Sequence, residues 1–93
     1  MKVVICGAGL VGTSIAQHLA GENNDVTVVD QDASLVRKIS ETLDVRSIQG
    51  HASQPDILEQ AGANDADMLI AVTFSDEINM VACQVAHSLF EVP

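Results

Sequence analysis

The sequence predicts an α/β fold in which helices cover both faces of a parallel sheet. Short apolar runs alternate with segments of helical periodicity, a glycine-rich turn follows the first run, and an acid ends the second. Strands buried on both faces are apolar in this way, and helices form the crossovers between parallel strands. Together these observations predict a doubly wound sheet.

The first element is an apolar run at residues 3–6 that is rich in β-branched side chains, which is typical of a buried strand. Gly7, Gly9 and Gly12 follow it directly in G-x-G-x-x-G spacing. From Leu10 onward the apolar residues recur at helical spacing. The chain is therefore predicted to begin with a strand, a glycine turn and a helix.

Each glycine of the turn has a mechanical purpose. Gly7 permits a sharp turn, Gly9 lets the backbone come close to a pyrophosphate, and Gly12 lets the helix pack tightly on the strand. The free N–H groups of the first helical turn, at the positive end of the helix dipole, then face a bound anion.

Asp30 ends the second apolar run, residues 26–30, and lies 18 residues beyond Gly12. Dinucleotide-binding motifs place an acid about 20 residues after the glycines, where it accepts hydrogen bonds from ribose hydroxyls. Loop aspartates also cap turns, so the acid alone is a weak signal. With strand, glycines, helix, strand and acid all in register, the sequence predicts a nucleotide site.

The later elements follow from caps, breakers and apolar spacing. Gly21 is expected to end the first helix as a left-handed cap. The elements predicted after the second strand are a helix capped by Asp32, a strand over 45–49, a short helix from Pro55 to Gly62, a strand over 67–72, and a helix from Ser75 or Asp76 to about Phe90.

Right-handed crossovers give this β-α-β-α-β-α-β-α chain the strand order 3-2-1-4. A complete Rossmann sheet has two further strands. We therefore expect residues 1–93 to be a single, partial Rossmann-type domain, truncated before the last two strands.

Composition excludes several classes of function. The formal net charge is −9, from thirteen acids and four bases, which disfavours binding to nucleic acid or to anionic lipid. No apolar run reaches the ~18 residues of a membrane span. Cys6 and Cys83 are too few for a disulfide framework or a metal site, and both are expected to be small buried side chains. The expected location is the cytosol.

The last predicted helix is apolar on nearly every side, which requires cover on more than one side. The sheet covers one side, and further strands or a second subunit would cover the other. Both alternatives predict self-association of the chain. The apolar positions are Ile78, Met80, Val81, Ala82, Cys83, Val85, Ala86, Leu89 and Phe90.

Nearly the whole chain resembles the TrkA-N family, the RCK or KTN type of nucleotide-binding domain in bacterial Trk potassium uptake. The stretches around His51 and over residues 79–87 are more specific than the glycine motif. The segments that carry the resemblance are 2–12, 22–25, 28–30, 49–53, 61–62, 65–68, 71–73, 75–77 and 79–87.

The resemblance implies NAD(H) as the ligand, with ATP or ADP in some members, and a cytosolic homodimer or higher ring. That ring would be peripheral to the inner membrane, on a Trk-type potassium channel subunit that ligand binding gates. By position, Gly7, Ala8, Gly9, Leu10 and Val11 would cradle the pyrophosphate, Asp30 would hold the adenosine ribose, His51 and Ala52 would border the adenine, and Thr73 and Phe74 would line the crevice.

Two residues depart from the family pattern. Many members have an acid where this chain has His51, which is as compatible with closing a loop as with touching a ligand. Phe74 replaces what is usually a small polar residue, so only backbone or apolar contact is expected there.

Other functions begin with a similar motif. The main alternative is the cofactor-binding half of an NAD-dependent dehydrogenase, and a weaker one is a methyltransferase. No general acid or base for hydride transfer is apparent, so we expect no enzymatic activity and no catalytic or metal-binding residue. Asp30 and Asp32 would repel a 2′-phosphate, which predicts NAD(H) over NADP(H).

Overall fold

A computed structural model describes residues 1–92 of the chain; Pro93, the last residue of the predicted domain, lies outside the described residues. Four parallel strands form one sheet in the order β3-β2-β1-β4, as predicted. The elements are β1 (Lys2–Cys6), α1 (Leu10–Ala20), β2 (Asp25–Asp30), α2 (Ala33–Thr42), β3 (Arg46–Gln49), α3 (Pro55–Gln60), a 3-10 turn (Ala63–Asp65), β4 (Met68–Ala71) and α4 (Asp76–Phe90).

The central strand β1 divides the core into two layers, because successive side chains of a strand point to opposite faces. Val3 and Ile5 pack in the layer beneath α1 and α2, together with Ile39. Val4 and Cys6 pack in the layer beneath α3 and α4. Helices therefore cover both faces, and apolar runs with β-branched residues suit strands with no solvated side.

Side-chain caps fix the starts of two helices. Asp32 accepts hydrogen bonds from the backbone N–H groups of Ser34 and Leu35 at the start of α2. The hydroxyl and backbone N–H of Ser34 hold the pKa of Asp32 below its usual value. At the start of α4, Ser75 accepts from the N–H of Ile78. The Asp32 cap is confirmed, and of the two caps considered for α4 the structure uses Ser75.

The predicted left-handed cap at Gly21 is wrong. Gly21 has a right-handed φ of −67°, and the left-handed residue in this turn is Asn23, with a φ of 64°. Asparagine tolerates this conformation better than most residues because its short side chain can bond locally. The first helix does end at Gly21, as predicted, but the left-handed conformation falls two residues later.

The two cysteines occupy different environments. Cys6 is fully buried in β1, and this burial raises its pKa to about 12. Cys83, which was also expected to be buried, is exposed on α4. It lies on the outer side of a helix that buries Ala82 and Ala86 instead.

The outer face of α4 exposes apolar side chains beside the polar Gln84, His87 and Ser88. Met80 and Leu89 are 72% and 63% exposed, and Val81 is also exposed. The prediction that the sheet covers only one side of this helix is confirmed. Of the helices in residues 1–92, none has both the length and the apolarity needed to cross a membrane.

Close packing at Gly12 positions α1 on the sheet. A Cβ placed on Gly12 would overlap the carbonyl oxygen of Gly7 and touch the side chain of Val72. Only a glycine lets α1 approach the turn this closely. The helix-packing function predicted for this glycine therefore follows from a backbone contact.

We predict that Gly12→Ala lowers the free energy of unfolding by about 3 kcal/mol or more, because backbone atoms must move to admit the methyl group. Urea denaturation measures the change. Gly21→Ala is the matched control, since Gly21 has an ordinary φ and its added Cβ would make ordinary contacts of 3.4 and 3.5 Å. The control should change stability by at most about 1 kcal/mol. Equal stability of the two variants would contradict the packing argument.

Candidate functional site

A cleft of about 300 Å³ opens at the carboxyl ends of the strands. Connections leave β1 in one direction toward β2 and β3, whereas β4 lies on its other side, so the strand order reverses here. Open α/β sheets bind ligands at such a switch point. The cleft is lined by Gly7, Gly9, Leu10, Val11, Val29, Asp30, Gln31, Gly50, His51, Ala52, Val72, Thr73, Phe74, Ser75 and Ile78.

The structure brings nine of the ten residues predicted from the sequence to this one cleft, and the exception is Ala8. Ala8 is buried, and its N–H donates to the carboxylate of Asp30. Its backbone N–H is therefore already used within the protein. Ala8 therefore connects the glycine turn to Asp30 and does not line the cleft.

Sequence reasoning missed six residues of the lining. Gln31, Gly50, Val72 and Ser75 adjoin predicted site residues, so extending each motif by one position would have found them. Val29 also precedes Asp30, but its place in the strand predicted only core packing. Ile78 enters the cleft from the first turn of α4, which no local signal indicates.

The glycine turn has one crowded side and one open side. Gly7 has a φ of 120°, its N–H donates to the carbonyl of Val29 at 2.7 Å, and an added Cβ would lie 2.8 Å from the carbonyl oxygen of Val72. A Cβ on Gly9 would meet only the ring of Phe74 within 4 Å, at 3.7 Å. The backbone at Gly9 is therefore accessible from the cleft.

The start of α1 offers backbone donors to the cleft. Gly9 is its N-cap residue, and within residues 1–92 no side chain caps this helix. The first helical bond runs from the N–H of Thr13 to the carbonyl of Gly9, so the preceding N–H groups have no intrahelical acceptor. These donors and the helix dipole make this end suitable for an anion.

Asp30 is held by two backbone hydrogen bonds. Its Oδ2 accepts from the N–H of Ala8 at 2.8 Å, and its Oδ1 accepts from the N–H of Asp32 at 2.8 Å. A carboxylate has about four lone-pair positions, so each oxygen can accept one more hydrogen bond. Asp30 thus fixes the glycine turn to the end of β2 while retaining acceptor capacity toward the cleft.

Asn79 holds the loop that follows β4. Its Oδ1 accepts from the backbone N–H of Thr73 at 2.9 Å and from the Thr73 hydroxyl at 2.6 Å, and its Nδ2 donates to the Thr73 carbonyl at 3.2 Å. Thr73 therefore reaches the cleft through a fixed backbone. Asn79 does not line the cleft itself, and its structural role was not predicted.

His51 and Ala52 border the cleft on the β3 side. The carbonyl of His51 accepts from the N–H of Gln54, which closes the turn before α3. Its side chain is exposed, whereas Ala52 is buried in the core. This backbone hydrogen bond supports the alternative in which His51 closes a loop. His51 also lines the cleft, which is compatible with the alternative in which it touches a ligand.

The charge in the cleft is negative. In the lining drawn from residues 1–92, Asp30 is the only acid and there is no lysine or arginine. An anionic ligand would depend on backbone donors for its phosphates. No group of three histidine, cysteine or acidic side chains within residues 1–92 could hold a metal ion.

The fold and the cleft at its switch point define a Rossmann-type α/β domain. The family model named TrkA-N domain matches residues 3–93. The chain belongs to the TrkA-N family, which confirms the resemblance found in the sequence.

Three similar proteins all carry the name Trk system potassium uptake protein TrkA. Those of Azorhizobium caulinodans, Halomonas elongata and Vibrio alginolyticus are 60%, 58% and 56% identical over 93 residues, which is 100% of this chain and 20% of each relative. The chain thus spans about a fifth of the length of the curated relatives it matches.

Two solved structures share the fold at low sequence identity. The Kef CTD of Shewanella denitrificans in AMP-bound form has a TM-score of 0.83 at 24% identity, covering 98% of this chain and 54% of that one. The Bordetella bronchiseptica enzyme WbmG in complex with NAD has a TM-score of 0.75 at 18% identity, covering 99% and 35%.

We predict that Asp30→Ala destabilises the protein even without a ligand, because the N–H groups of Ala8 and Asp32 lose a charged acceptor. Such a loss costs about 1.5–3 kcal/mol per bond. Urea denaturation should show that the free energy of unfolding falls by at least about 1.5 kcal/mol. Asp44→Ala, which removes a carboxylate from an exposed loop, should change stability by less than about 0.5 kcal/mol. Similar stabilities for both variants would show that Asp30 does not hold the turn.

Proposed function

We propose that this chain is an NAD(H)-binding regulatory domain of a Trk-type potassium uptake system. The observation that carries the proposal is the convergence of three features on one cleft: an accessible glycine turn, an uncapped helix start, and a carboxylate with free acceptor capacity. The diphosphate of a nucleotide fits the first two features, and its ribose fits the third.

In this proposal the pyrophosphate accepts hydrogen bonds from the N–H groups at the start of α1, including those of Leu10 and Val11. The absence of a Cβ at Gly9 allows that approach. Asp30 accepts from the adenosine ribose hydroxyls with its remaining lone pairs. His51 and Ala52 border the adenine, and Thr73 and Phe74 line the far end of the cleft.

The proposed ligand is NAD(H), with ADP or ATP as the alternative. All of them share an adenosine ribose and a diphosphate, so they would make the same contacts at Asp30 and the glycine turn. The AMP-bound and NAD-bound proteins of the same fold support an adenine nucleotide in general, without choosing between these ligands.

The proposed role is the gating of a membrane potassium channel subunit of Trk type. The names of the similar proteins support this partner. A ligand shifts a conformational equilibrium only by its difference in affinity for the two states, and a tenfold difference is worth about 1.4 kcal/mol per site. Coupled sites in a homodimer or a larger ring would multiply that effect.

The proposed assembly is supported by the large apolar side chains exposed on α4, which are Met80, Val81 and Leu89. In this proposal the domain is cytoplasmic, is held at the inner membrane only through its channel partner, and binds no nucleic acid. The net charge of −9 supports the last two points, because anionic lipid and nucleic-acid backbones would both be repelled.

The competing proposal is the cofactor half of an NAD-dependent dehydrogenase. No observation on this chain specifically supports it. The titratable cleft residues within 1–92 are Asp30 and His51; Asp30 is occupied with backbone donors and His51 is exposed at the rim. Reduction of bound NAD by a hydroxy acid or an amine would favour the enzyme. Binding of S-adenosylmethionine would favour a methyltransferase.

We predict that NADH binds about tenfold or more tightly than NADPH. The added 2′-phosphate removes a hydroxyl donor and approaches the carboxylates of Asp30 and Asp32. Isothermal titration calorimetry with NADH, NADPH, NAD, ADP and ATP provides the comparison. Comparable affinities for NADH and NADPH would refute the role given to Asp30, and binding of none of the five would overturn the proposed function.

We also predict that Gly9→Ala separates ligand binding from folding. Gly9 has an extended backbone, with a φ of −74°, and its added methyl group would make only ordinary contact with Phe74. Stability should therefore fall by at most about 1 kcal/mol, the cost of a poorer N-cap residue. NADH affinity should fall about tenfold or more, since the methyl group occupies the side from which phosphate approaches. Unchanged affinity would place the phosphates elsewhere; Gly21→Ala is the control outside the cleft.

A further inference from the structure

Phe74 is the most exposed large apolar residue of the domain. Phe74 is 99% exposed and lies on the short loop between β4 and α4. A phenyl ring in water contributes nothing to the core. Its position therefore has no explanation in the packing of the fold.

The ring lies at the mouth of the cleft and is not an isolated surface residue. Its Cζ and Cε2 atoms are 3.7 and 3.8 Å from the point that a Cβ on Gly9 would occupy, so the ring stands beside the glycine turn. Leu10 and Val11, which line the same cleft, are 86% and 59% exposed. The three side chains make an apolar rim next to backbone donors suited to phosphate.

The backbone that carries this ring is fixed. Asn79 bonds to the N–H, the hydroxyl and the carbonyl of Thr73, the residue before Phe74. Ser75, the residue after it, donates its N–H to the Thr73 hydroxyl and caps α4. The exposed ring is therefore presented from a rigid loop, which lowers the entropic cost of a contact with a ligand.

The sheet order places Phe74 at the opposite end of the cleft from Asp30. Asp30 ends β2 and Phe74 follows β4, with β1 between them. At about 4.8 Å per strand, these positions are about 10 Å apart across the sheet. A ligand with its ribose at Asp30 and its phosphates at the glycine turn meets only the edge of the Phe74 ring, and it can cover the face of the ring only with groups beyond the phosphates.

We propose that Phe74 is a specificity-determining residue that packs on the second base of a dinucleotide, and that this contact separates dinucleotides from adenine mononucleotides. The inference rests on the proposed function. AMP and ADP end at their phosphates, beside the ring edge that faces Gly9, and have no second base to cover the ring. NADH carries a second ribose and a flat nicotinamide ring, which covers an exposed aromatic side chain well.

The size of the effect follows from stacking. Removing an aromatic platform for one base typically weakens binding by about tenfold, which corresponds to about 1.4 kcal/mol. Phe74→Ala should therefore weaken NADH binding about tenfold and leave ADP and AMP affinities within about twofold. Because the side chain is exposed, the substitution should not disturb folding.

Two further substitutions distinguish the aromatic ring from its apolar area. Phe74→Tyr keeps the ring and should retain the affinity of the unmodified chain for NADH. Phe74→Leu keeps much of the apolar area without a flat face and should recover only part of what alanine loses. Asp44→Ala, which changes an exposed loop residue outside the cleft, should leave every affinity unchanged.

The test is calorimetric titration of NADH, ADP and AMP into the unmodified chain and these four variants. Selective loss of NADH affinity in Phe74→Ala, restored in Phe74→Tyr, supports the inference. Equal loss for all three nucleotides, no loss, or tighter binding after removal of the ring would each overturn it, the last because the ring would then obstruct the cleft. If the unmodified chain binds none of the three, the proposed function fails, and the inference fails with it.

Discussion

A single carboxylate determines the shape of the cleft. Asp30, at the end of β2, accepts a hydrogen bond from Ala8 inside the glycine turn and another from Asp32 at the start of α2. These bonds connect the turn after β1 with the turn after β2. The start of α1 and the edge of the cleft keep their relative positions because this connection exists. The sequence offered Asp30 as a ligand contact or as a turn cap, and the structure shows its scaffold role in both of these bonds.

Close backbone packing also fixes the position of the glycine turn. The carbonyl of Gly7 lies so near α1 that a side chain at Gly12 would overlap it, and a Cβ on Gly7 would lie 2.8 Å from the carbonyl oxygen of Val72, the residue after β4. With the crowded side filled by protein, the other side of the turn at Gly9 is left accessible. An anion can approach backbone donors there although the cleft lining within residues 1–92 contains no lysine or arginine. The negative charge of the chain and anion recognition are therefore compatible, because the donors are amides.

The loop after β4 joins the cleft to the outer surface of the domain. Asn79 belongs to α4, and its three hydrogen bonds hold Thr73 at the cleft. The same helix carries the exposed side chains of Met80, Val81 and Leu89 on its outer face. A ligand that displaced this loop would also displace the start of α4. Under the proposed function, this loop would connect the nucleotide site with the proposed assembly surface.

The sequence by itself determined the strand order and the position of the cleft. Apolar runs, glycines and caps are local signals, and the handedness of crossovers turns them into the order 3-2-1-4. Gly9 and Asp30 were predicted from a motif whose residues lie at strand ends, and Thr73 was predicted from the family resemblance; parallel strands bring all three to one edge of the sheet. Only the tertiary structure decided how Ala8, Asn79, Ile78 and Cys83 are used. Their roles depend on which element packs beside them: Ala8 faces Asp30, Asn79 reaches back to Thr73, Ile78 enters the cleft, and Cys83 is turned to the outer side of α4. Such contacts join residues that no local spacing relates.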